Sequence, residues 1–120
     1  MTAAMTTPFS RITRIDRGQA PEEFGTTCQR VFPGDVADDT FGAMVCWLEP
    51  GARTAPDEHN QRELVIVQGG SGLIDSSGVV EQLNVGDVVL VERGHAHVVV
   101  AAEDGMQWIS LYWPRVEPQA

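Results

Sequence analysis

The feature that most restricts this chain is the rhythm of its apolar runs. Stretches rich in valine, isoleucine and aromatic residues recur about every 8 to 12 residues, separated by glycine, proline and acidic turns, while helical periodicity is nearly absent. Short strands at that spacing build a sandwich or barrel. The candidates are Arg11–Ile15, Thr27–Phe32, Ala43–Leu48, Leu64–Gln68, Gly72–Asp75, Val79–Leu83, Val88–Val91, Ala96–Ala101 and Gln107–Trp113. Asp75-Ser-Ser-Gly78 reads as a hairpin turn, and the acidic segment Gly34–Thr40 as a loop. Several runs are apolar on both faces, as in Leu64–Val67, Val88–Val91 and Val98–Val100. Such strands belong to a closed all-β body, or to one whose outer face meets a second subunit.

A length of 120 residues fits one domain with one core. Residues 9–114 are expected to form that domain, with 1–8 and 115–120 as tails. Seventeen acids against eight arginines, with no lysine, give a net charge of −9. That balance argues against nucleic acid and against anionic membrane surfaces as partners. The N-terminal stretch carries arginines and lacks an apolar signal core, so a cytoplasmic location is expected. Cys28 and Cys46 are too few for a disulfide framework and too far apart for a redox pair, and read as small buried hydrophobes.

The chemistry-bearing stretch is Gly51-Ala-Arg-Thr-Ala-Pro-Asp57-Glu-His59-Asn-Gln-Arg-Glu63, which runs straight into Leu64–Val67. Acids and imidazoles next to a core strand are costly unless each finds a partner or an ion. Residues two apart on a strand share a face, so Asp57 and His59 are neighbours, and Glu63 can return to them after a kink. His97 follows 34 residues after Glu63, behind a turn at Gly94, and antiparallel pairing could bring it opposite. Two carboxylates and two imidazoles suit a divalent ion such as Zn, Fe(II), Mn or Ni, with zinc favoured, rather than a thiolate site. Asp57 facing solvent, with His59, Glu63 and His97 as the ligands, is the alternative. His95 lies two residues from His97, as an acid or base beside the ion or as a solvated turn residue. With Tyr112 it makes the candidate catalytic pair, and Arg53, Gln68 and Gln107 are further residues that could reach the same mouth.

These segments resemble the two sequence motifs of the cupin superfamily. Gly51, Asp57, His59, Glu63 and Gly70 keep every gap of the first motif, and Gly86, Glu92, Gly94, His97 and Ala101 keep those of the second. Three positions depart from the pattern: Asp57 replaces a histidine, Glu92 a proline and Ala101 an asparagine. The resemblance implies a double-stranded β-helix, a jelly-roll barrel with an ion inside its mouth. It further implies a metal-dependent enzyme acting on a small-molecule substrate, by Lewis-acid isomerase, lyase or cyclase chemistry in bacterial secondary metabolism. An Fe(II) dioxygenase and a ligand-binding or partner-stabilising protein without catalysis are the alternatives. A homodimer is expected, because doubly apolar strands and open sheet edges need cover.

Overall fold

The computed structural model describes residues 12–31, 41–56 and 60–114. Among them there is no α-helix, only a short 3-10 turn at Arg17–Gln19. Seven strands follow: β1 (Glu22–Glu23), β2 (Thr26–Arg30), β3 (Gly42–Leu48), β4 (Arg62–Ser76), β5 (Val79–Asn84), β6 (Val88–Val91) and β7 (Val98–Trp113). They pair antiparallel throughout, in the order β1-β2-β3-β7-β4-β5, with β6 also on β4.

The long strands β4 and β7 organise the body. The first half of β4 is sandwiched between β6 and the end of β7, so that Glu63 faces Val91 on one side and Tyr112 on the other. Its second half pairs with β5 and with the start of β7. Between the halves the register slips twice, at Val67/Gly69 and at Gly70/Gly72, and such bulges bend a strand and increase its twist. Gly70 makes this bend possible. Its φ is +67°, and a Cβ there would collide with the Gly105 carbonyl. The bent sheet closes on itself around Leu48, Val65, Val67, Leu83, Val99 and Trp108, all buried.

The all-β expectation holds, and the differences lie in the punctuation. Leu64–Gln68 and Gly72–Asp75 are one strand, as are most of Ala96–Ala101 and Gln107–Trp113, because glycine at a bulge bends a ladder without ending it. Ile12–Ile15 forms no strand; Thr13 instead donates its hydroxyl to the Val31 carbonyl at 2.5 Å, and Gln29 bonds Asp16 and Arg14. The expected tails and the acidic loop lie outside the described residues.

Candidate functional site

One end of the barrel encloses a cavity of about 40 Å³ bounded by β2, β3, β4, β7 and the Thr54–Ala55 segment. Alternation along β4 turns Glu63, Val65 and Val67 inward, and on β7 it does the same for Trp108, Ser110 and Tyr112. Val65 pairs with Ser110, which sets that serine diagonally across from Glu63. His97 arrives from the opposite side, after the turn at Arg93–Gly94 and immediately before β7.

Four polar groups meet there. The Ser110 hydroxyl donates to Glu63 Oε2 at 2.6 Å and accepts from the Trp108 indole Nε1 at 3.1 Å. Glu63 Oε1 lies 3.3 Å from His97 Nε2. His97 Nδ1 is 3.2 Å from the His95 carbonyl, an acceptor, so Nδ1 carries a proton and Nε2 is the ring nitrogen turned to Glu63. Glu63 and His97 are 8% and 6% exposed, a depth at which such a pair shares a proton or a cation.

The geometry fits an ion. Two donor atoms each about 2.0–2.1 Å from one metal, at a tetrahedral angle, lie roughly 3.3 Å apart. Imidazole and carboxylate are a donor pair that divalent metals accept, and anchoring of the second ring nitrogen on a carbonyl is the usual support for a ligating histidine. Among the described residues no group of three or more His, Cys, Asp and Glu converges to hold an ion. Asp57 and His59, the two further ligands expected from the spacing, lie outside the described residues.

Neither candidate catalytic residue lines the cavity. The His95 side chain is exposed, because β7 begins only at Val98 and the two-residue alternation with His97 does not operate at His95. What it supplies is its backbone carbonyl. Tyr112 faces inward and is buried, but its ring lies over Gly42, one strand position beyond the cavity wall. Arg53 and Gln68 are exposed, and Gln107 packs over Gly69 on another part of the surface.

The remaining walls are mostly apolar: Phe24, Met44, Ala55, Val65 and Val99. Thr26 donates to the Trp47 carbonyl, and Thr54 accepts from the Val99 amide, so both hydroxyls are engaged with backbone. Cys28 and Cys46 also face the cavity, their sulfurs 3.2 Å apart as free thiols. The Cys46 pKa is pushed well above the ordinary thiol range by the hydrogen bond with Cys28, then by burial and by the charges of Cys28 and Glu63, against a lowering contact from Ser110. Cys46 is therefore a neutral thiol near pH 7 and not a nucleophile. Two of the three motif departures find a reason here. Glu92 pairs with Arg62 at 2.9 Å on the surface, and Ala101 is buried in the core, where an asparagine amide would need a partner.

A family profile described as a cupin domain matches residues 44–112, from β3 through the end of the site on β7. The chain belongs to the cupin family. This cupin is 37% identical over 84 residues to an (R)-mandelonitrile lyase from Granulicella tundricola, a match covering 67% of the chain and 63% of that protein. The chain thus spans less than two thirds of that relative's length. Among solved structures, a cupin 2 conserved barrel domain protein from Salinispora arenicola superposes with a TM-score of 0.80 at 24% identity, covering 88% of this chain and 89% of the other. The polyketide cyclase RemF from Streptomyces resistomycificus does so with a TM-score of 0.73 at 19% identity, covering 91% and 83%. Both likenesses concern the fold. No helix among the described residues is long and apolar enough to cross a membrane.

Sequence reasoning missed Ser110 as part of the site. The signal was present: one serine stands at an inward position in the apolar run Trp108-Ile-Ser-Leu-Tyr112.

Proposed function

We propose that this cupin is a metal-dependent lyase acting on a small, uncharged molecule, with Glu63 and His97 holding a divalent ion and Asp57 and His59 completing the set. The observation that carries this reading is the buried approach of Glu63 Oε1 to His97 Nε2, with Nδ1 anchored on a carbonyl. A bound divalent ion would supply Lewis acidity toward a substrate oxygen. The protein's own residues do the rest. Phe24, Met44 and Val99 give the substrate an apolar wall and keep bulk water out. No arginine is among the described residues lining the cavity, and the chain carries −9 overall, so an anionic substrate gains nothing on entry.

The likeness to a mandelonitrile lyase supports a cyanohydrin as the first substrate to test. Its cleavage breaks the bond between the carbinol and nitrile carbons, and the hydroxyl proton leaves with cyanide as an aldehyde forms. Protein purified without chelator should contain close to one divalent ion per chain and release benzaldehyde from mandelonitrile. His59→Ala and His97→Ala should each lose the ion and the activity together. Metal-free wild-type protein whose melting temperature ignores added Zn²⁺, Mn²⁺, Fe²⁺ and Ni²⁺ would overturn the reading.

A further inference from the structure

We infer that Ser110, itself oriented by Trp108, is a positioning residue that makes Glu63 meet the ion through one oxygen only. The inference rests on the reading above, that Glu63 and His97 hold a divalent ion. It starts from the direction of the hydrogen bonds. An indole N–H can only donate, so the 3.1 Å contact from Trp108 Nε1 takes a lone pair of the Ser110 oxygen. The single hydroxyl proton is then aimed at Glu63 Oε2, 2.6 Å away. That length is typical of a charge-assisted O–H···O⁻ bond, and Ser110 is only 1% exposed, so water does not compete for it.

The donor and its orienter are also rigidly mounted. Trp108 and Ser110 are alternate residues of β7 on the same face, and the ladder to β4 fixes Val65 opposite Ser110 and Tyr112 opposite Glu63. With Oε2 held from the β7 side, the carboxylate plane is set before any ion arrives and Oε1 is the oxygen turned to His97 Nε2. A carboxylate free to rotate can chelate through both oxygens and use up a coordination position. Ser110 opposes that mode and keeps the position open for substrate.

The test compares wild type with Ser110→Ala, Ser110→Thr and Trp108→Phe by chelator-competition titration of Zn²⁺ and Mn²⁺ into metal-free protein. Loss of the hydroxyl should weaken ion affinity about 10- to 100-fold, the usual effect of removing a ligand's hydrogen-bond partner. Threonine, which keeps the donor, should restore affinity to within a few-fold of wild type. Trp108→Phe keeps an aromatic ring but drops the N–H, and should fall between them. In the infrared spectrum of the loaded protein, Ser110→Ala should narrow the splitting of the carboxylate stretches toward the bidentate pattern, a change that a merely structural role would not produce. Wild-type affinity and splitting in Ser110→Ala, with wild type binding normally, would overturn the role of Ser110 alone. Failure of wild type to bind either ion would overturn the metal site and this role with it. If Ser110→Ala does not fold, the Thr and Phe variants decide: equal loss in both shows that packing, not the donor, matters.

Discussion

Strands β4 and β7 carry opposite anomalies on their two faces. Their inner face buries Glu63 and Ser110 beside His97, where core residues would stabilise the barrel at no electrostatic cost. Their outer face is apolar where polar residues would be expected. Leu64 pairs with Leu90 and Leu111, Ile66 with Val88 and Ile109, and in these two rows Val88 and Leu90 are 57% and 50% exposed. The two departures have different physical standing. A buried carboxylate and imidazole cost several kcal/mol each unless compensated, so their presence needs a purpose. Exposed valines on a strand cost little, and singly they need none. The inner face is therefore where function is expected to reside.

The largest effect should come from the residue that joins the two kinds of inner surface. Trp108 packs in the core and also donates to Ser110. Trp108→Ala should cost about 3–5 kcal/mol in chemical denaturation, because it opens a large cavity and leaves Ser110 half-partnered. A loss below about 1 kcal/mol would mean that this face is not packed as a core, and the comparison would fail at its root.

Next in size is the polar pair itself. Replacing Glu63 and His97 together by leucine removes two desolvated groups and should leave stability unchanged or raise it by up to about 4 kcal/mol, while ion binding disappears. A marked fall in stability of the double variant would show that the pair is kept for folding rather than for a ligand.

A smaller effect depends on pH. The folded state raises the Cys46 pKa, through the Cys28 hydrogen bond and burial, so it binds that proton more tightly than the unfolded chain. The resulting stability is complete below the unfolded thiol value of about 8.5 and is lost as pH rises beyond it. Melting temperature should fall as pH rises past that value, and Cys46→Ala should flatten that part of the curve. Parallel curves for the two proteins would remove Cys46 from the account.

How much of this the sequence disclosed follows from which physics is local. Alternation and turn residues are local, so the strand character of β3, β5 and β6 was legible almost residue for residue. The proximity of Glu63 and His97 was legible too, since motif spacing together with antiparallel pairing leaves few other arrangements. The continuity of β4 through Gly69 and Gly70 was not. Whether a glycine pair ends a strand or bends it depends on the Gly105 backbone packed against it, 35 positions away in the chain. The exposure of His95 has a related reason: alternation holds on a strand, and β7 begins only at Val98. Ser110 stayed hidden because a hydroxyl in a valine-like slot carries no signal until the register with β4 is known.

The smallest effect concerns the outer face, and it sharpens the comparison from the other side. Val79 and Leu90 are 70% and 50% exposed. Changing each to threonine places a β-branched side chain on the strand, and should alter stability by no more than about 0.5 kcal/mol per site. Sedimentation velocity on the same variants supplies the second reading. If apparent mass drops and stability falls by more than about 1 kcal/mol at Leu90, the outer rows are covered in solution by a second copy, the arrangement expected of doubly apolar strands. The outer face would then be a core shared between chains, and only the inner polar cluster would remain an exception to the hydrophobic rule.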